Sequence, residues 1–306
     1  MRRLVPLDAA GGPAFVAGLR SSWADGDAVL PVDPRLPGPA RRALLDAMEL
    51  DRAIEPEDAL VVATSGTTGE PKGVVLTHAA VAASAEATSR RLGVDPESDR
   101  WLSCLPLAHV GGLSVVLRAL HTSTPLTFDV DDGAATLVSL VATQLQRMDA
   151  GRFRTVVLGG SAPPAELPDN CVVTYGMTET GSGVVYEGLP LDGVEVRAVD
   201  GELELRGPML LRAYRDGSSP LDADGWLATG DAGSVADDGT VSVLGRIGDV
   251  VVTGGEKVWP EAVEPVLATV AGVAEVGVAG RPDPEWGQRV VAWVVPADPA
   301  SPPALD

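Results

Sequence analysis

Short apolar runs that end on glycine recur through the first two thirds of the chain. Ala59-Leu60-Val61-Val62-Ala63 stops at a Gly-rich turn and reads as a buried strand. Gly73-Val74-Val75-Leu76 reads as a second strand. Thr77 then stands where it can cap a helix from His78 to about Leu92, with Gly93 ending it. Thr155-Val156-Val157-Leu158 runs into Gly159-Gly160, and Cys171-Val172-Val173-Thr174-Tyr175-Gly176 repeats that form. Strands feeding glycine loops predict an α/β sheet with its ligand site at the carboxyl ends of the strands. The character changes after about residue 190. Val194 to Arg197, Glu202 to Arg206 and Val241 to Leu244 alternate in polarity between Asp200-Gly201 and Asp238-Gly239 turns, which predicts an antiparallel meander or small barrel. Past Arg246 the pattern predicts a strand from Val250 to Thr253, then Gly254-Gly255, then a helix opened by Pro260. Val263, Val266, Leu267 and Val270 give that helix one apolar face. Strands at Val276 to Ala279 and Val290 to Val295 follow, and Pro296 to Asp306 reads as a linker.

Composition narrows the class. The chain has 306 residues, 45% of them hydrophobic, so a packed core is expected and a disordered chain is excluded. The 35 glycines and 25 prolines show no triplet period, which excludes a collagen-like fold. A net charge of -20 argues against duplex nucleic acid or an anionic membrane as partner. A small anion is still compatible, because a nest of backbone N–H groups can hold a phosphate against an adverse overall field. Cys104 and Cys171 offer neither a disulfide framework nor zinc spacing, and His78, His109 and His121 do not suggest a multi-histidine metal site. The longest apolar stretch, Val110 to Leu120, is interrupted by Arg118 and two glycines and is too short to cross a membrane. Met1-Arg2-Arg3-Leu4 is not followed by the apolar run of a signal peptide, so a cytoplasmic protein without membrane insertion is expected.

The most informative segment is Thr64-Ser65-Gly66-Thr67-Thr68-Gly69-Glu70-Pro71-Lys72-Gly73. Its hydroxyls, its freely curling glycines and Lys72 suit an anion such as a phosphate. An ordinary Gly/Ser/Thr loop is the plainer alternative. It is not a Walker A loop, because Pro71 and Gly73 stand where that motif needs glycine and Ser/Thr.

This segment resembles the signature of the adenylate-forming superfamily of acyl-CoA synthetases, luciferases and peptide-synthetase adenylation domains. Four more segments resemble that family in order: Pro106 to Gly112, Tyr175-Gly176-Met177-Thr178-Glu179-Thr180, Thr229-Gly230-Asp231, and Gly245-Arg246-Ile247-Gly248-Asp249 leading to Gly254-Gly255-Glu256. The resemblance implies an α/β fold with a large N-terminal domain of stacked α/β subdomains over residues 1–247. That domain would include a small β-barrel-like subdomain at about 190–247. A small, incomplete α+β C-terminal domain would follow over 248–306. It also implies an AMP-forming acid–thiol ligase: a carboxylate attacks the α-phosphorus of ATP, and coenzyme A then displaces AMP.

Roles follow from the same resemblance. Thr64, Ser65, Gly66, Thr67, Thr68, Gly69 and Lys72 would hold the β- and γ-phosphates. Thr178 would touch the α-phosphate, and Glu179 would bind Mg2+. Asp231 would accept from the ribose hydroxyls, or else be a turn aspartate. Arg246 would donate to ribose or phosphate, or else form a structural ion pair. Tyr175 would stack on adenine, with Gly159, Gly160, Ser161 and Ala162 letting backbone approach the purine; a core tyrosine is the alternative. Gly176 and Met177 complete the nucleotide segment. His109, Val110, Gly111, Gly176 and Gly181 would line the acid pocket, although a histidine between apolar residues is as often simply packed. Gly254 and Gly255 would leave room for pantetheine. Lys257 reads as a solvated charge.

Within the superfamily the chain looks most like compact actinobacterial o-succinylbenzoate–CoA ligases of menaquinone synthesis. The residues concerned are Val141 to Leu145, where Ala142 replaces a more usual proline, Tyr175 to Gly183, and Val185 to Val194. Such an enzyme takes a dianion bearing an aromatic ring, which calls for a cationic or hydroxyl group deep in the acid pocket. Other aryl or medium-chain acids, and loading of a carrier protein, stay open. The implied partners are a small carboxylic acid, ATP and CoA, and the family admits monomers and homodimers. Two departures stand out. Gly248 replaces a more usual Asp, Lys or Ser at the hinge. No Pro-x-x-x-x-Gly-Lys motif, whose lysine bridges carboxylate and α-phosphate, follows Gly255. The chain then reads either as a shortened version of an active enzyme or as a natural short form that binds nucleotide but adenylates poorly. On either reading it is expected to bind ATP and to form acyl-AMP far more slowly than a chain extended through that lysine. ATP–pyrophosphate exchange on both chains checks this, and equal rates would refute it.

Overall fold

The computed structural model describes residues 2–65, 71–298, 300 and 303. Two compact units emerge: residues 1–160, 170–195 and 206–227 in one, and residues 161–169, 196–205 and 228–306 in the other.

The first unit contains two sheets. One has five strands in the order Leu4–Asp8, Ala28–Val32, Asp58–Ser65, Pro71–Thr77, Ala213–Tyr214. Its first three strands run parallel, and the last two pair antiparallel. Alternation places Val61 and Ala63 on one face, in a core with Leu30, Val32, Met48 and Val75, beneath the helix Gly38–Ala47 that contributes Leu44 and Leu45. Leu60 and Val62 on the other face are also buried, beneath the helix His78–Arg91. That helix starts where the sequence predicts: the Thr77 hydroxyl accepts from the Ala80 N–H at 3.1 Å, and Gly93 follows the C-cap with a φ of 57°.

The second sheet has seven strands, in the order Leu189–Pro190, Ser182–Tyr186, Cys171–Met177, Thr155–Leu158, Leu137–Leu140, Trp101–Leu102, Leu126–Thr127. The five from Cys171–Met177 onward are parallel, and Ser182–Tyr186 is antiparallel to its neighbour. The helix Val110–Thr122 lies on this sheet and also packs against His78–Arg91, so the two helices are sandwiched between the sheets. The apolar run Val110 to Leu120 is therefore a buried globular helix. Among the described residues no helix is long and apolar enough to cross a membrane.

The second unit holds two four-stranded sheets. The meander Glu195–Val199, Glu202–Arg206, Leu227–Val235, Val241–Arg246 forms one, and Glu256–Val258, Val251–Thr253, Gly287–Pro296, Val273–Asp283 form the other. The last two of these strands make one long hairpin, longer than the two short strands that the sequence predicts. The helix Pro260–Ala268 packs on Val273–Asp283 and on Val241–Arg246. Its expected apolar face needs one correction. Val263, Leu267 and Val270 are partly buried, but Val266 is 63% exposed. The helix has only nine residues, and Val270 lies beyond its C-cap, so the contact stripe is narrower than a 3.6-residue period suggests.

The helix pair also carries a histidine cluster. The Trp23 ring meets His78 edge-on at 5.1 Å and His121 at 6.3 Å, and its indole N–H donates to the Ala59 carbonyl at 2.9 Å. Burial, and then repulsion from His121, lower the pKa of His78, against a smaller opposing pull from Asp58. The unfolded chain therefore takes up this proton first as pH falls below about 6.5, and the fold loses stability from there downward. Melting temperatures at pH 7.5 and 5.5 check the sign: the drop is expected to be smaller in His78→Gln than in the wild type.

Candidate active site

The antiparallel pair Asp58–Ser65 and Pro71–Thr77 carries the flanks of the predicted phosphate segment, with Thr64 opposite Lys72 and Ser65 opposite Pro71. Gly66, Thr67, Thr68 and Gly69 lie outside the described residues. Gly73 is not part of a freely curling loop. It sits buried within a strand, where an added Cβ would fall 2.7 Å from Met48 Sδ and 2.8 Å from both Arg215 Cβ and Val61 Cγ1. Close packing, not turn conformation, requires glycine there.

Lys72 is exposed, and its ammonium lies over the Tyr214 ring, 5.0 Å from the centroid. The Tyr214 hydroxyl donates to Glu179 Oε1 at 3.0 Å. Burial and the Glu179 carboxylate push the Tyr214 phenol up to about 12. The structure thus joins two predicted residues, Lys72 and Glu179, through a third that the sequence reading missed. Tyr214 lies on a two-residue strand with no recognisable pattern, so only its pairing with Val74 reveals its place.

Thr178 and Glu179 form a 3-10 turn directly after the parallel strand Cys171–Met177. The Thr180 hydroxyl accepts from Met177 N–H at 2.9 Å, and Gly181 closes the turn with a φ of 67°. The Leu211 N–H donates to the Glu179 carbonyl at 2.7 Å. The turn therefore stands at a strand's carboxyl end, where α/β sheets place ligands.

Beside it is a cavity of about 130 Å³. The predicted residues Val110, Gly111, Gly159, Gly160, Gly176 and Met177 line it. Gly176 admits no side chain, because an added Cβ would fall 2.7 Å from Gly183 Cα. Tyr175 is half-buried on the same strand, opposite Val185. Two expected pocket residues stand elsewhere. His109 is exposed at the N-cap of Val110–Thr122 rather than packed among apolar side chains, and it does not line this cavity. Gly181 lines a separate void of about 10 Å³ near Leu76. The reason for both is local: His109 is the cap residue, turned outward ahead of the helix, and Gly181 is the left-handed end of the turn.

The cavity also holds Arg118, only 3% exposed. Its guanidinium donates to Ser139 Oγ at 3.3 Å and to Ser182 Oγ, and it lies over the Trp101 ring at 5.5 Å. Its Nε is buried without a hydrogen-bond partner. No carboxylate pairs with it among the described residues. The available signal was the lone arginine interrupting an apolar run.

In the second unit, Asp231 is 5% exposed and sits opposite Arg246 across a strand pair. Arg246 Nε meets Asp231 Oδ1 at 3.0 Å, and its Nη1 donates to the Thr229 carbonyl at 2.9 Å. Ser161 and Ala162 belong to this unit by contact. Gly254 and Gly255 have φ values of 58° and 91° and make the two-residue turn between Thr253 and Glu256, a geometry that glycine pairs favour. Gly254 also lies under the Trp286 ring, where an added Cβ would be 2.7 Å away. Lys257 is exposed on the strand after this turn.

Comparison with known proteins places the chain in a family and a fold. The family of AMP-binding enzymes matches residues 38–215, and its C-terminal domain matches residues 262–305. The chain belongs to the AMP-binding enzyme family. A probable 2-succinylbenzoate–CoA ligase of Mycobacterium tuberculosis is 38% identical, over 86% of this chain and 78% of the relative. The 2-succinylbenzoate–CoA ligase of Listeria monocytogenes is 34% identical over 83% of this chain, which spans only 62% of it. Wild-type E. coli MenE with a bound analogue of OSB-AMS superposes with a TM-score of 0.80 at 30% identity, over 97% of this chain and 79% of that one. The likeness to E. coli MenE extends over nearly the whole of this chain's mixed α/β fold.

The packing around Gly73 gives a test. Gly73→Ala is expected to lower stability by about 1–3 kcal/mol through overpacking, read as a lower urea midpoint with an unchanged slope. An unchanged midpoint would show that the neighbours yield freely.

Proposed function

We propose that the protein is an ATP-dependent, AMP-forming acid–CoA ligase acting on 2-succinylbenzoate in menaquinone biosynthesis. The observation that carries the choice of acid is Arg118. A buried guanidinium with only neutral partners is costly unless a ligand supplies the countercharge. Besides Arg118 the cavity is lined by glycines, by apolar side chains such as Leu105, Val110, Leu140 and Met177, and by the hydroxyls of Ser114, Ser139, Thr174 and Ser182. An aryl acid fits such a lining, and a second carboxylate would answer the arginine. The names of the mycobacterial, Listeria and E. coli relatives support the same acid.

The remaining roles follow from chemistry. Attack of a carboxylate on the α-phosphorus brings an anion to a polyanion, so holding the reactants in line and spreading charge dominate the catalysis. Thr64, Ser65, Thr67, Thr68 and Lys72 would retain the departing pyrophosphate, and Thr178 would donate to the α-phosphate. Asp231, held by Arg246, would accept from ribose hydroxyls. Tyr175 would flank the purine, and Gly254-Gly255 the pantetheine of coenzyme A.

Magnesium fits the residues present. Among the described residues no group of three His, Cys, Asp or Glu side chains could enclose a metal. Glu179 offers one carboxylate, held at Oε1 by Tyr214. Magnesium binds readily through one carboxylate plus phosphate oxygens and water. When bound, it would neutralise phosphate charge.

Arg118→Met is expected to cut kcat/KM for 2-succinylbenzoate by roughly 100-fold, from the loss of charge-assisted hydrogen bonds. Turnover of a benzoate lacking the second carboxylate should change far less. Pyrophosphate exchange with both acids checks this; an equal loss on both would reject Arg118 as the reader of the second carboxylate.

A further inference from the structure

Tyr214 is fixed from both sides. Arg212 makes two bonds to Asp58, at 2.8 and 2.9 Å, and that aspartate side chain is 1% exposed. Arg215, 6% exposed, donates to the carbonyls of Met48 at 3.0 Å, Glu49 at 2.8 Å and Ala53 at 3.1 Å, and also to that of Arg52. Its own N–H donates to the Gly73 carbonyl at 2.7 Å. The backbone between these anchors therefore has little freedom. The phenol that it presents touches Lys72 with its face and Glu179 with its hydroxyl. The two opposite charges thus meet one side chain, the cation at its ring face and the carboxylate at its hydroxyl. Among the described residues no carboxylate pairs with Lys72.

We infer that Tyr214 is a positioning residue for the metal and triphosphate end of the site, an inference that rests on the function proposed above. Its hydroxyl orients Glu179 through Oε1 and leaves Oε2 for the metal. Its ring holds Lys72 by a contact that does not neutralise it, so the lysine stays available to phosphate. Without the ring, Lys72 and Glu179 would be free to pair and cancel the charges that the nucleotide and metal need.

The test is calorimetric titration of the whole chain with ATP across a magnesium chloride series and in EDTA. Tyr214→Phe keeps the ring and loses the hydroxyl. The magnesium concentration for half-maximal strengthening of ATP binding should rise roughly tenfold, the cost of one hydrogen bond to a charged group. Its affinity for metal-free ATP should stay within about twofold of wild type, because Lys72 is undisturbed. Tyr214→Leu should lower the metal-free affinity as well. Tyr214→His, which keeps a ring and a donor, should recover part of the magnesium response, and it carries the comparison if the phenylalanine chain melts early. An unchanged magnesium midpoint in Tyr214→Phe would overturn the inference. So would a fall in its metal-free affinity equal to that with magnesium, the mark of a purely structural role. Failure of the wild-type chain to bind ATP at all would instead remove the proposed function, and this inference with it.

Discussion

The arrangement of the first unit depends on two arginines that fasten one short segment to the first sheet. Arg215 spends its guanidinium on four backbone carbonyls between Met48 and Ala53, which end the helix Gly38–Ala47 and the turn after it. Arg212 closes on a fully buried aspartate at the start of the central strand pair. Burying a cation is costly unless its donors are satisfied, and here they are satisfied by backbone carbonyls and a buried carboxylate. The segment cannot slide without exposing several of these at once. Everything it touches inherits that constraint, including Tyr214, the strand that carries Lys72 and, through the Leu211 N–H, the turn that carries Glu179.

Glycine has a second and separate part in the design. At Gly73 and Gly176 neither residue needs a left-handed conformation; each is small because another strand or side chain occupies the space of a Cβ. At Gly181 and Gly254-Gly255 the backbone itself demands φ above zero. The first kind lets the sheets and the arginine anchors close up. The second kind aims turns at the ends of strands. A motif written as a row of glycines mixes the two.

That mixture explains what could be read in advance. Strands such as Thr155–Leu158 and the capped helix His78–Arg91 were legible because apolar runs, a capping threonine and a stopping glycine act locally. The strands Leu4–Asp8 and Ala28–Val32 were not, because each carries a proline and Ala28–Val32 is buried along its whole length without alternation. Val110–Thr122 was legible only as an apolar stretch, since burial on all sides erases amphipathic periodicity. The family resemblance supplied Glu179, Lys72 and Asp231 as single residues. It could not supply Tyr214 or the surroundings of Arg118, because those depend on partners more than a hundred residues away, or on a sheet closing over a helix. Of the two readings left open for His109, simple packing is the one the structure does not show: its neighbours in sequence are apolar, but at the N-cap it is exposed.

The electrostatic logic of the first unit is most visible in what its cations lack. The chain carries 43 acidic residues against 23 lysines and arginines. Acceptors are therefore abundant, and most of its arginines find one: Arg35 with Asp33, Arg100 with Asp132, Arg154 with Asp99, Arg206 with Glu195. Among the described residues Lys72 and Arg118 pair with no carboxylate. Each is held by an aromatic face, Arg118 with serine hydroxyls besides, so each keeps its full charge while its position is fixed. Pairing either with a carboxylate would have been the easier way to stabilise the fold, and it would have left nothing for an anion to gain by entering. A cation fixed by neutral groups instead offers an anionic ligand a large differential interaction at little reorganisation cost. Two such cations, one at the flank of the predicted phosphate segment and one in the cavity beside the Glu179 turn, suit the proposed reaction, whose two substrates are both anions. They also give a strongly acidic protein the means to hold both against its own overall field.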